Sequence, residues 1–243
     1  MTIPADLLLS RRTGIGASKG GGASGGDGAG PGRRLISLGA PFDQALPWQG
    51  LPCGTLHEAS GLAAAGLVTA LARRCLRHGG SLVWCRDTRL AGELGDLQGL
   101  GLARFGLTPA RLTIVQACGE AEVAEAFAAA MRQRATACAV AEIARLDLPI
   151  GHRLQRAAAT GRGVGLILRP EEPDSLPGPA LTRWHAEPRP SRHGLVWRLT
   201  LLHARGGAPG VWTVRWDERR LAFALAAPTA AGMPAAAEAV SFG

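Results

Sequence analysis

Two glycines five positions apart, Gly61 and Gly66, lie between an apolar segment and an amphipathic one. The pattern G-x-x-x-x-G between a strand and a helix is typical of a P-loop, whose backbone N–H groups and helix N-terminus hold phosphate. The next two residues of a P-loop are a Lys, which neutralises the β- and γ-phosphates, and a Ser or Thr, which binds Mg²⁺. In this chain they are Leu67 and Val68. The sequence therefore predicts a vestigial loop that binds no cofactor and hydrolyses no ATP.

Glycine spacing alone does not separate a P-loop from the strand-to-helix turn of any α/β protein, because the chain has 34 glycines. The glycine spacing by itself leaves both a P-loop and an ordinary strand-to-helix turn open. Thr69 offers a hydroxyl only if the motif slips by one residue, and the single lysine, Lys19, lies far upstream. At most, the loop predicts P-loop geometry without P-loop chemistry.

Histidine and cysteine residues give no support to other catalytic or metal chemistry. The six His are dispersed, without a Ser-His-Asp or Cys-His pattern. The five Cys are odd in number and form no C-x-x-C motif, which is typical of free thiols in a reducing compartment. The apolar runs are too short to span a bilayer, and the N-terminus lacks the pattern of a signal peptide. We expect no catalytic residue, no metal and a cytoplasmic location.

Apolar and amphipathic segments alternate from Ile36 to about Ser191. The predicted strands are Thr55–Ala59, Ser81–Cys85, Leu112–Gln116, Ala137–Ala141 and Val164–Leu168. The predicted helices are Leu62–His78, Glu120–Gln133 and Gly151–Thr160. Strands that alternate with helices imply right-handed crossovers and a parallel sheet covered on both faces. The predicted fold class is therefore α/β with a mainly parallel central sheet.

Four more β segments follow the Pro-rich stretch Glu171–Pro179 and predict an antiparallel β meander at the edge of that sheet. They are Leu181–Glu187, Leu195–Ala204, Val211–Trp216 and Leu221–Leu225. Interleaved Arg and Trp could stack on bases and bind phosphate. Strand alternation alone would instead place Trp inward and Arg outward, where the same face could serve as a protein interface. The candidate partner or DNA contacts are Arg183, Trp184, Trp197, Arg198, Arg205, Trp212, Arg215 and Trp216.

The net charge of +8 is concentrated at the two ends of the chain. A clustered excess of this kind attracts phosphate, whereas a dispersed one does not. Residues 1–34 are rich in Gly, Ala and Ser and predict a disordered tail, within which Ile3–Arg12 forms either one helical turn or a frayed end. Residues 35–227 form the predicted core, and the Ala-rich residues 228–243 form a second flexible tail.

Several short sequence segments of the predicted core resemble those of one protein family. The stretch from Ile36 to Glu58, which includes GLPCGTLHE at Gly50–Glu58, resembles the approach to the P-loop in RecA. It is still more similar to the ImuA family, the RecA-like accessory proteins of bacterial translesion mutagenesis. Four segments recur in that family in the same order. They are GLPCGTLHE at Gly50–Glu58, LVWC at Leu82–Cys85, the segment Leu107–Leu112 and LHARGGAP at Leu202–Pro209. The likeness extends to about Leu225 and implies a RecA-like P-loop domain.

The resemblance also implies positions for two acids of an ATPase. Asp87 lies near the place of the glutamate that orients the attacking water in an active RecA-like ATPase. Glu142 takes the place of the acid that holds Mg²⁺ through water. Without the Lys and the hydroxyl, both carboxylates would repel phosphate. Each is either a remnant of that chemistry, a solvated residue at a strand end, or an ion-pair partner of Arg86 or Arg145.

The function implied by the resemblance is that of a non-catalytic adaptor in SOS-induced translesion synthesis and mutagenesis. The implied partners are ImuB, an error-prone polymerase of the mutasome, and RecA. In RecA-like proteins two loops line the DNA; here Ala144–Gly151 is short and holds Arg145, and Arg169–Pro179 is acidic, so direct DNA contact by this route is not expected. Two alternatives stay open, namely a single-stranded DNA-binding module, favoured by the basic ends, and a SulA-like cell-division inhibitor, a label given to proteins of this family.

Overall fold

The computed structural model describes residues 2–4, 33–170, 178–192 and 194–226. Most of both predicted tails and of the Pro-rich stretch lies outside these ranges. The strands are β1 (Thr2–Pro4), β2 (Leu35–Ile36), β3 (Leu51–Pro52), β4 (Leu56–Ser60), β5 (Ser81–Asp87), β6 (Leu112–Ala117), β7 (Thr136–Glu142), β8 (Val164–Arg169), β9 (Thr182–Arg189), β10 (Val196–Ala204), β11 (Gly210–Asp217) and β12 (Ala222–Leu225). The helices are α1 (Ala40–Ala45), α2 (Ala64–Cys75), α3 (Thr88–Leu94), α4 (Gly99–Arg104), α5 (Glu120–Met131) and α6 (Leu148–Thr160).

One large sheet organises the described residues, with strand order β1-β6-β5-β7-β8-β4-β9-β10-β11-β12. Neighbouring strands from β1 to β9 are parallel, and those from β9 to β12 are antiparallel. Strands β2 and β3 form a separate antiparallel pair. The predicted α/β class, with a mainly parallel sheet and a C-terminal antiparallel meander, is confirmed.

The parallel strands are covered on both faces, so alternate residues enter two different cores. Leu82 and Trp84 of β5 pack in the core that includes α2, whereas Val83 and Cys85 pack in the core beneath α5 and α6. Strands β4, β7 and β8 are buried along their whole length. This arrangement brings the carboxyl ends of β4, β5, β7 and β8 to one edge of the sheet, where the predicted site residues lie.

Several short elements differ from the predictions. Helix α6 begins at Leu148 rather than at Gly151, because the Asp147 carboxylate accepts a hydrogen bond from the Ile150 N–H (2.8 Å) and Pro149 suits a first turn. Ile3 lies in a strand that pairs parallel with β6. The sequence left a helical turn or a frayed end open for Ile3–Arg12; neither describes Ile3, and the segment beyond Pro4 lies outside the described residues. The prediction also missed α1, α3 and α4.

Candidate functional site

The loop between β4 and α2 consists of only three residues, Gly61 to Ala63, since α2 begins at Ala64. Gly61 has φ +91°, and a Cβ there would lie 2.7 Å from the Ala186 carbonyl oxygen. The Ala63 N–H donates to that same carbonyl (2.9 Å), and the Ala64 N–H donates to the Gly61 carbonyl (2.9 Å). A phosphate cradle requires N–H groups that face the ligand. These two N–H groups are already used within the protein.

Gly66 lies inside the first turn of α2, and packing explains why it is a glycine. A Cβ at this position would lie 2.7 Å from the Trp197 ring of β10. Trp197 is itself buried and stacks on Phe105, with ring centroids 6.0 Å apart. The second glycine of the motif thus allows the meander to approach α2 closely.

The two residues after Gly66 point into the core. Leu67 and Val68 are 2% and 0% exposed and pack in the cluster that includes Trp84 and Leu166. The Thr69 hydroxyl donates a hydrogen bond to the Ala65 carbonyl one helical turn earlier (2.6 Å). The side chains at the Lys and Ser/Thr positions of the motif are therefore aliphatic and buried.

Glu142, at the end of β7, is buried and paired on both oxygens. Arg86 of the adjacent strand β5 donates to Oε1 (3.0 Å), and the Trp84 indole N–H donates to Oε2 (2.8 Å). The same Arg86 nitrogen also donates to the Gly95 carbonyl (2.8 Å), and Asp96 Oδ1 lies 3.7 Å from Nη1. A buried carboxylate needs such compensation. Of the interpretations left open by the sequence, the ion pair with Arg86 is the one present.

A cavity of about 390 Å³ opens between this pair, the start of α2 and the α3–α4 segment. Among the described residues that line it, three are charged, namely Arg86, Glu142 and Asp96, which carry one positive and two negative charges. The positive charge is already matched by the carboxylates. The cavity therefore presents a net negative charge, which repels a phosphate chain.

Asp87 follows the cavity-lining Arg86 in the chain, but its carboxylate binds backbone N–H groups. Its Oδ1 accepts hydrogen bonds from the N–H groups of Arg89 (3.0 Å) and Gly119 (3.2 Å). The first bond caps α3, and the second fixes the turn before α5. The carboxylate is held as a structural cap.

A second buried charge cluster, which the sequence analysis did not identify, joins β4, β8 and β9. The Glu58 carboxylate lies 3.4 Å from an Arg169 guanidinium nitrogen and 3.8 Å from Arg183 Nε. On the opposite face of β4, the His57 ring makes hydrogen bonds of 2.9 Å with the hydroxyls of Thr55 and Thr182. Because β9 follows β4 by more than a hundred residues, no local pattern could have placed these groups together.

Complete burial lowers the pKa of His57 from 6.5 to about 4, although the Pro52 carbonyl opposes the shift. The folded protein thus holds His57 neutral where the unfolded chain binds a proton. We expect stability to be full above pH about 6.5 and to fall between pH 6.5 and 4, by up to about 3 kcal/mol from this group. His203 acts in the same direction, since partial burial, Arg183 and Arg205 lower its pKa.

Urea unfolding at several pH values would measure this loss. A His57→Gln variant should show a lower free energy of unfolding at pH 7 but a shallower decline toward pH 4. His152→Gln, at an exposed helical position, should follow the wild-type decline. A His57→Gln profile parallel to that of the wild type would contradict the assignment.

The tryptophans of the meander do not form an external surface. Trp184, Trp197 and Trp216 are buried against an aromatic cluster that includes Phe42, Phe105 and Phe223, and Trp212 is half-buried beside Phe42. Of the two placements that the sequence left open for Trp184, Trp197 and Trp216, burial of their rings favours the inward one over contact with DNA or a partner. Strand alternation explains the result.

The arginines of the meander have different degrees of exposure. Arg215 is exposed, and Arg198 lies half-buried on the next strand of the same sheet. Arg183 is engaged by Glu58, and Arg205 is half-buried beside the end of β10. Arg198 and Arg215 lie on the face of the meander opposite to the buried Trp197 and Trp216.

No cluster of three or more metal-binding side chains occurs among the described residues. The cysteines are free thiols, of which Cys118 is exposed and the others, Cys53, Cys75, Cys85 and Cys138, are buried. Burial raises the pKa of the Cys138 thiol, with a further contribution from Cys75. Within the described part of the chain, none of the helices is long and apolar enough to cross a bilayer.

Two curated proteins are similar to this chain over most of their length. Protein ImuA of Caulobacter vibrioides (strain NA1000 / CB15N) is 35% identical over 211 residues, in an alignment that covers 76% of this chain and 84% of that protein. Protein ImuA of Caulobacter vibrioides (strain ATCC 19089 / CIP 103742 / CB 15) gives the same values. No family model matches the chain.

Proposed function

Because the chain belongs to the ImuA family, we propose that it acts in damage-induced mutagenesis as a non-catalytic, RecA-like adaptor. The fold supports the RecA-like part of this proposal. Its mainly parallel sheet places β4 in the interior, and β4 leads through Gly61 into α2. Ligands of open α/β sheets bind at this carboxyl edge.

The observation that carries the non-catalytic part is the state of the groups at that edge. The two oxygens of Glu142 accept hydrogen bonds from Arg86 and Trp84, so the carboxylate that the resemblance assigns to Mg²⁺ is already paired with a cation of the protein. Leu67 and Val68 are buried and offer neither a cation nor a hydroxyl. A domain of this kind acts through its surfaces.

An apolar rim on the same side of the sheet supports a protein contact there. Leu62 and Leu100 are 88% and 87% exposed, and Leu94 is 52% exposed. Leu62 and Leu94 line the 390 Å³ cavity directly. Large exposed apolar side chains grouped around a cleft are typical of a protein-binding surface. We propose that this rim, formed by Leu62, Leu94 and Leu100, meets ImuB or RecA, the partners implied by the family.

A binding experiment with purified ImuB and RecA tests the adaptor function. Wild-type chain should retain at least one of them, and a Leu62→Glu/Leu100→Glu variant should bind at least tenfold more weakly, since charges replace apolar contacts. Leu148→Glu/Leu225→Glu, which changes two exposed leucines outside the rim, is the matched control and should bind as the wild type does. Failure of the wild type to bind either partner, or retention of a cell-division protein instead, would contradict the proposal.

A further inference from the structure

A second cavity, of about 530 Å³, lies at the opposite edge of the sheet, where the parallel strands begin. Its walls are the turns before four neighbouring strands, with Gly54 before β4, Gly80 before β5, Ala135 before β7 and Arg162 before β8. Arg111 donates hydrogen bonds to the carbonyls of Gly80 and Leu76, which fixes the turn before β5. The cavity is thus built by the sheet itself.

Positive side chains dominate the lining of this cavity. Four arginines and one histidine contribute to it, and all five residues are exposed: Arg33, Arg34, His78, Arg134 and Arg162. Among the described residues that line the cavity there is no Asp or Glu. The arginines come from three separate segments of the chain, so the fold gathers charges that the sequence disperses. A concave site lined by one sign of charge concentrates the opposite charge.

The remaining lining decides which polyanion fits. It consists of small residues, Gly, Ala and a buried Thr136 and Cys53, with no aromatic or large apolar side chain among the described lining residues. Sequence-specific peptide recognition relies on apolar or aromatic anchors seated in pockets, and base readout relies on stacking or base-edge contacts. This cavity offers neither, whereas exposed guanidinium groups pair well with phosphate oxygens.

We propose that this cavity binds the backbone phosphates of a nucleic-acid strand without reading its sequence. The site is separate from the Gly61–Gly66 loop and from the meander, and it does not depend on the adaptor function. Its position at the amino edge also leaves the apolar rim at the carboxyl edge free for a protein, so the two could be occupied together.

Fluorescence anisotropy of a labelled oligothymidine strand with the full chain tests the proposal at several salt concentrations. Wild-type affinity should fall steeply with salt. The Arg134→Gln/Arg162→Gln variant, which removes two exposed charges, should reduce the slope of log K against log salt by about 1.4 and lower affinity roughly tenfold or more at 0.1 M salt. A long polyglutamate chain should bind at least tenfold more weakly than the DNA.

The matched control is Arg89→Gln/Arg145→Gln, which removes the same charge from exposed residues that follow β5 and β7 at the carboxyl edge. It should change affinity by less than threefold. Three results would each overturn the proposal. They are the absence of salt-dependent binding by the wild type, an equal loss in the control, and polyglutamate binding as tight as that of DNA.

Discussion

Replacement of Leu67 by Lys, which restores the missing lysine of the P-loop pattern, is expected to destabilise the protein rather than create an ATPase. Leu67 is buried among apolar side chains of α2 and the sheet. A lysine held there either loses its proton or remains an unpaired buried charge, and full burial lowers the pKa of a lysine by up to about 3–5 units. Each unit corresponds to about 1.4 kcal/mol, so we expect a loss of about 4 kcal/mol in the free energy of unfolding.

Urea unfolding monitored by circular dichroism measures this loss. Leu62→Lys makes the same chemical change five residues earlier, where the leucine is exposed, and should change stability by no more than about 0.5 kcal/mol. Leu67→Met, which keeps volume and polarity, should cost less than about 1.5 kcal/mol. A Leu67→Lys variant that is as stable as the wild type and hydrolyses ATP would show that this side chain faces a phosphate site.

Removal of Arg86 is expected to have an effect of similar size. An Arg86→Met variant leaves the buried Glu142 carboxylate without its cation, and breaking a buried ion pair on one side costs about 3–5 kcal/mol. Asp96 is exposed to solvent, so its own contact with Arg86 adds little to the free energy of unfolding. The Arg86→Met/Glu142→Gln double variant should be more stable than Arg86→Met alone, because the amide oxygen still accepts from the Trp84 indole.

A double-mutant cycle on Arg86 and Glu142 isolates their coupling energy. The control pair is Arg104 with Glu218, which has a shorter N···O distance of 2.6 Å but is half-exposed. We expect Arg104→Met to cost less than about 1 kcal/mol, since water competes for an exposed pair. If Arg86→Met and Arg104→Met lowered the free energy of unfolding equally, the buried Glu142 would not need Arg86 more than an exposed carboxylate needs its partner.

The sequence was sufficient to predict the alternating parallel strands and the meander because each has a clear period. Period-two alternation along β9 and β10 also correctly favoured buried tryptophans. The α3–α4 segment was missed because Gly92, Gly95, Gly99 and Gly101 interrupt any helical pattern. Strand β1 has only three residues, and its pairing with β6 is a contact between distant parts of the chain.

The candidate site was harder to predict, since its contacts depend on strand order. Arg86 and Arg145 were equal candidates for Glu142 until the adjacency of β5 and β7 placed Arg86 beside it. Gly66 fitted the motif spacing, but its close approach to Trp197 depends on how β10 packs over α2. The basic cavity at the amino edge likewise combines arginines from segments that are far apart in sequence.

Calorimetric titration with ATP and Mg²⁺, combined with an assay of phosphate release, tests most directly whether this domain works without nucleotide chemistry. We expect no Mg²⁺-dependent turnover with ATP at up to about 1 mM, the upper end of common KM values. Any weak heat should decrease in the Arg134→Gln/Arg162→Gln variant, because two of the four arginines that line the basic cavity at the amino edge are then removed. Micromolar ATP affinity with Mg²⁺-dependent hydrolysis, retained in that variant, would contradict the account.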